Sequence, residues 1–119
     1  MKWTYFECSY HEMKSNKVLA ECCRQNLILL GIDEIEPAQT MLGSVDMGNV
    51  SHVVPAIHPY LRLGTGHEVP HTKEFAAAGL SEEGEKVLLL AIKLLALTAW
   101  DVISNKKLLT DIRKEFMAN

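Results

Sequence analysis

Apolar residues recur at three-to-four spacing over residues 13–30, where Val18, Leu19, Cys22, Cys23, Leu27 and Leu30 share one side of a helical wheel. Gly31 follows, the residue type that most easily takes the left-handed turn ending a helix, so a first helix is predicted to stop there. A second apolar stretch, residues 87–100, is interrupted only by Lys93 and Thr98. Ser81 offers an N-cap, while Glu82 and Glu83 bring negative charge to a first turn whose free N–H groups favour it. Together these predict a helix from Glu82 to about Ile103. The run is shorter than the ~20 apolar residues of a membrane span and carries a charge at its centre, so it reads as a buried helix. Being apolar nearly all round, it should be covered on more than one face, by a sheet and by a neighbouring helix or another subunit. A third helix follows Ser104 and Asn105, with Leu108, Leu109, Ile112 and Phe116 on one stripe and Lys107, Asp111, Arg113 and Lys114 facing water.

Strand patterns are fewer. Residues 38–41 and 56–63 are candidates, although Pro59 removes a backbone donor from the second and suggests an edge or bulge. The expected class is therefore α/β, with three main helices packed on a small sheet. No repeat, low-complexity tract or linker interrupts residues 1–119, so one domain or part of one is expected.

Composition narrows the function classes. A chain of 119 residues that is 48% hydrophobic and 23% charged has material for a packed core and is not of disordered type. Twelve Lys and Arg against fifteen Asp and Glu leave a net charge of -3 and no basic stripe for phosphates, which excludes a nucleic-acid partner. The start of the chain lacks the apolar run of a secretory signal, so a cytoplasmic protein with no membrane partner is expected. Its three cysteines are odd in number, and adjacent Cys22 and Cys23 cannot bridge each other without strain, so reduced thiols are expected.

Four of the five histidines, His52, His58, His67 and His71, fall within twenty residues. Neutral imidazole is a common metal ligand, and His67 and His71 are four apart. Gly64, Gly66 and Pro70 argue against a helix that would align the two, so solvated loop histidines explain the composition equally well. Upstream, Gly43-Ser44-Val45-Asp46 supports two readings. Ser44 or Asp46 caps a short helix, or the turn presents Asp46 to a pocket at the carboxyl end of a strand.

The segment Gly43-Ser44-Val45-Asp46-Met47-Gly48-Asn49-Val50-Ser51-His52-Val53-Val54-Pro55, followed by Pro70-His71-Thr72-Lys73-Glu74-Phe75, resembles the C-terminal part of the aminoacylase and carboxypeptidase-G type zinc hydrolases. The aminobenzoyl-glutamate and dipeptide amidohydrolases are the most similar subgroup. The resemblance implies that His71 is a metal ligand, that Asp46 lies beside the metal pocket, and that Ser44 and Asn49 shape the turn. His52 and His58 would line the substrate cleft, or serve as buried, hydrogen-bonded structural histidines. Pro70 stands where the pattern has glycine, and Gly66-His67 offers a competing register that makes His67 the fallback ligand.

The same resemblance implies two zinc or manganese ions in an intact enzyme, hydrolysis of a C–N amide bond, and an N-acyl amino acid or dipeptide substrate with a terminal carboxylate. The family's N-terminal ligand cluster, its Glu-Glu pair and its lid domain have no counterpart in residues 1–119. Amide hydrolysis needs a metal with at least three protein ligands, a water of lowered pKa and a carboxylate base. An inactive isolated chain is therefore expected, either a homo-oligomer or paired with the missing N-terminal half. The alternative is a non-catalytic module that self-associates or binds a partner through its apolar surface, or a small dimeric domain with no ligand.

Overall fold

Each of the three long helices starts on a polar side chain that accepts a free backbone N–H from its first turn. Asn16 Oδ1 takes Leu19 N–H at 2.9 Å, Ser81 Oγ takes Gly84 N–H at 3.1 Å and Asn105 Oδ1 takes Leu108 N–H at 3.1 Å. The computed structural model describes residues 4, 9–36, 45–64 and 68–118. Within them the helices run α1 (Lys17–Leu29), α2 (Met47–Ser51), α3 (Lys73–Gly79), α4 (Glu82–Ser104) and α5 (Lys106–Ala118). Helix α1 begins four residues later than its apolar spacing suggests, because Asn16 is its cap and residues 9–14 are held against α2 by Asn49 and Ser51.

Gly31 ends α1 as expected, with φ of 89°. Its N–H bonds the Ile28 carbonyl at 2.9 Å and the Ile32 N–H reaches back to the Leu27 carbonyl at 2.9 Å, the paired bonds of a Schellman stop. Ile32 then packs on the cluster that holds Leu27, so the same turn that closes the helix also delivers a core residue.

The α/β expectation is overturned. Of the described residues 61% are helix and 2% strand, and no sheet is present among them. The one extended pairing is a single parallel bridge between Ser15 and Ala56. A strand needs a neighbour along its whole length to satisfy alternate N–H and C=O groups. Among the described residues, residues 56–63 form one bridge, from Ala56 to Ser15, and beyond it Ile57 and Leu61 pack on the helical core instead. The other expected strand, residues 38–41, lies outside the described residues.

The core is small. Cys23 and Leu27 from α1 meet Leu94 from α4, and Ile112 of α5 and Ala56 are also buried. Helix α4 touches α1, α3 and α5. Cover on more than one face, expected from its composition, is not completed among the described residues: Leu88, Leu89, Ile92, Leu95, Trp100 and Ile103 stay exposed. By length and composition alone α4 is apolar enough to cross a membrane, and only 11% of its apolar window is buried.

The surface area states the same deficit as a magnitude. A self-contained 13.3 kDa protein exposes about 6,500 Å². This chain exposes 9806 Å². The radius of gyration is 16.8 Å, where compact folding of this length gives about 13.5 Å. The difference is roughly 3,300 Å² on this one chain.

Candidate functional site

His71 has φ of 67°, and among the described residues no other non-glycine takes a positive φ. In that region the side chain crowds the following carbonyl, at a cost of about 1–2 kcal/mol. The neighbouring residues hold the strain in place. Pro70 fixes its own φ, and Thr72 Oγ1 donates to the Val69 carbonyl at 2.7 Å while accepting the Phe75 N–H at 3.2 Å as the N-cap of α3. The imidazole is thus carried exposed on a turn braced from both sides. Glu68, Val69, Thr72 and Glu74 line an open hollow of about 350 Å³ at the same turn. His67, the competing ligand, lies outside the described residues, as does Ser44.

Asp46, Asn49 and His52 all belong to α2 or its ends. Asp46 occupies the N-cap position, yet its carboxylate makes no capping hydrogen bond, so the capping reading of this residue does not hold. It remains exposed. Asn49 is a bracket: its Oδ1 accepts the His11 N–H at 2.8 Å and its Nδ2 donates to the Ser9 carbonyl at 3.0 Å. Ser51 Oγ accepts the Lys14 N–H at 2.9 Å and donates to the Gly48 carbonyl at 2.6 Å. Gly48 makes this seam possible, since a Cβ there would lie 1.9 Å from the His11 carbonyl oxygen. The extended segment 9–14 is therefore laid directly on the backbone of α2.

One consequence is a cluster that the sequence reading missed. His52, at the C-cap of α2, donates from Nε2 to the Glu12 carbonyl oxygen at 3.1 Å and sits 3.5 Å from Glu12 Oε1. Its ring lies 4.9 Å from the ring of His11. His11, Glu12 and His52 present ligand atoms that all fall within 4.8 Å of one another. The Glu12 carboxyl is held below the usual range, chiefly by its own backbone N–H and to a smaller extent by the neighbouring Lys14 ammonium. Forty residues separate Glu12 from His52, so no local spacing pointed to the group.

His58 is elsewhere. It is exposed, with its ring 4.8 Å from that of Tyr60, and is not the buried structural histidine offered as one of its two readings. Among the described residues no hydrogen bond or ring contact joins His71 to Asp46, His52 or His58. Nor does His71 belong to a group of three ligand atoms close enough to hold an ion. The described residues around His71 therefore do not make up a whole catalytic metal centre, and no hydrolytic step is assigned to this chain alone.

A second polar group lies between α1 and α4. Asn26 Nδ2 donates to Asp101 Oδ2 at 2.9 Å and to Thr98 Oγ1 at 3.3 Å, and Cys22 Sγ donates to the same carboxylate oxygen at 3.7 Å. Burial, then the negative charge and hydrogen bond of Asp101, push the Cys22 thiol up to about 11. Burial also raises Cys23. Both are free thiols, and neutral ones, which suits structure rather than nucleophilic chemistry. Cys8 lies outside the described residues.

No family model matches the chain. Along 90% of its length, however, it is similar to peptidase-type hydrolases, which supports a peptidase- or amidohydrolase-like family. The relatives are the Xaa-Arg dipeptidase of Homo sapiens, 41% identical over 111 residues, and that of Mus musculus, 39% identical over 110 residues. The chain spans about a quarter of the length of these relatives, 25% in each case.

Proposed function

We propose that the chain contributes one part of a metal-dependent amidohydrolase that cleaves the amide bond of a dipeptide or N-acyl amino acid, with His71 as its metal ligand. The strained backbone of His71 is the observation that carries this reading. A histidine kept at φ of 67° by Pro70 and the Thr72 cap is a cost the fold bears at the one residue for which the motif resemblance implies a ligand. Zinc or manganese would supply a Lewis acid and an activated water. This chain's share would be to hold one imidazole at a fixed place, with Asp46 exposed at the start of α2 for a ligand or substrate group. The remaining ligands and the base would come from polypeptide corresponding to the other three quarters of the relatives. Exposed α4 residues, together with the excess surface, are what such a partner would cover.

The test is a chimera in which this chain replaces the matching quarter of the human Xaa-Arg dipeptidase, assayed with zinc or manganese on a dipeptide ending in arginine. Turnover by the chimera, abolished by His71→Ala and absent from the isolated chain, is the expected result. A folded, metal-loaded chimera whose activity survives His71→Ala overturns the assignment of the ligand. A folded, metal-loaded chimera without turnover overturns the hydrolase reading.

A further inference from the structure

We propose that His11, Glu12 and His52 form a surface site for a divalent transition-metal ion, with zinc as its type ion, separate from any centre to which His71 contributes. The ligand atoms lie within 4.8 Å of one another. A tetrahedral zinc bound at about 2.0–2.1 Å sets its ligands roughly 3.3 Å apart, so the widest pair must close by up to about 1.5 Å. His11 and Glu12 are exposed and free to supply that movement by rotamer change, while His52 is half-buried and acts as the fixed member.

What makes the group more than a chance meeting of polar side chains is the seam beneath it. The His11 N–H is held by Asn49 Oδ1 and the Lys14 N–H by Ser51 Oγ, one on each side of Glu12. The His11 carbonyl rests where Gly48 has no side chain. Two imidazoles and a carboxylate are thus presented from two segments whose relative position is set by backbone contacts rather than by the side chains themselves. An ion pair between His52 and Glu12 explains two of the three residues. It leaves unexplained why the His11 ring lies 4.9 Å from the His52 ring, a place from which both imidazoles can reach one ion.

The donor set selects the ion. Two nitrogens and one carboxylate suit zinc and its neighbours, whereas calcium and magnesium prefer all-oxygen shells. Coordination through His52 Nε2 gives up its hydrogen bond to the Glu12 carbonyl, and that oxygen is then left beside the ion as a further weak donor. A water completes the shell. The bound ion would staple residues 9–14 to α2, adding stability by mass action in proportion to its occupancy.

The inference does not rest on the hydrolase reading, and one experiment separates the two. The whole chain is titrated with zinc by calorimetry under reducing conditions beside His11→Ala, Glu12→Gln, His52→Ala and His71→Ala, with far-UV circular dichroism confirming each fold. The chain and His71→Ala are expected to bind one zinc with the same affinity, and each of the other variants to bind at least roughly tenfold more weakly. Glu12 and His11 are exposed, so their variants report binding without loss of fold. No zinc binding by the chain, binding lost only in His71→Ala, or binding unchanged in both His11→Ala and Glu12→Gln overturns the site.

Discussion

The side-chain amide of Asn16 donates to the carbonyl oxygen of Ile112 at 3.0 Å, joining the start of α1 to the middle of α5 across 96 positions of chain. Asn16 is 4% exposed and all its polar groups are used. Its Oδ1 caps α1 and its backbone N–H donates to the Ala56 carbonyl at 3.0 Å. Beside it, Glu115 of α5 accepts the N–H groups of Lys17 and Val18, both at 2.8 Å, so a second helix completes the capping of the first.

Asn16→Ala removes a cap and a buried inter-helix hydrogen bond together. A cap contributes about 1 kcal/mol and a buried hydrogen bond about another. The variant is expected to lose about 2 kcal/mol in urea unfolding, with α1 and α5 losing hydrogen-exchange protection together. A loss confined to α1 would show that the bond to Ile112 contributes nothing.

Gly48→Ala should be costly for a reason unrelated to glycine's flexibility. The new methyl would lie 1.9 Å from the His11 carbonyl oxygen, and backbone cannot yield as a side-chain end does. Overpacking of this kind costs roughly 1–3 kcal/mol, and the upper end is expected here. Loss of hydrogen-exchange protection at the His11 and Lys14 amides would identify separation of residues 9–14 from α2 as the cause.

The helices were legible in the sequence because their signals are local. Ser81 as a cap, Gly31 as a stop, and the three-to-four spacing around Leu27, Leu94 and Ile112 each depend on neighbours within a few residues. The sheet was misread because a strand is defined by a partner far along the chain, and among the described residues, residues 56–63 form a single bridge, to Ser15. Of the candidate site residues, Asn49 and His52 share one seam, but its floor at Gly48 and its far wall at His11 and Glu12 join parts of the chain some forty residues apart. Nothing in the pattern around Pro70 indicates that His71 takes a left-handed backbone. That is a property of the Val69–Thr72 hydrogen bond, which ties down both ends of the turn.

The Cys22 thiol should make the fold sensitive to alkali. Its folded-state value, about 11, lies above the 9.0 of a free thiol, so the folded chain keeps this proton where the unfolded chain has lost it. The associated stability is complete below pH 9 and disappears as pH rises toward 11. Urea midpoints measured at pH 8, 10 and 11 should fall more steeply for the chain than for Cys22→Ala. Parallel curves would remove Asp101 and burial as controls on this thiol.

Exposed leucines on α4 predict association. Leu95 is 63% exposed, so Leu95→Glu removes apolar surface without disturbing the Leu94 core and should change monomer stability by no more than about 0.5 kcal/mol. Sedimentation velocity should show the chain associating and the variant dissociating at roughly tenfold higher concentration. An unchanged dissociation constant would place self-association on another surface.

His71 offers the sharpest separation of stability from function. If its left-handed backbone is strain maintained for metal binding, His71→Gly should relieve it. Glycine adopts φ of 67° without a Cβ clash, although it gains entropy in the unfolded chain, so a net stabilisation of about 0.5–1 kcal/mol is expected from the 1–2 kcal/mol of strain. His71→Ala keeps the Cβ and should show no such gain. In the chimeric hydrolase both variants should lose turnover equally, because both lack the imidazole. Stability unchanged in His71→Gly would mean that the turn carries no strain, and activity retained by either variant would mean that the ligand is another residue.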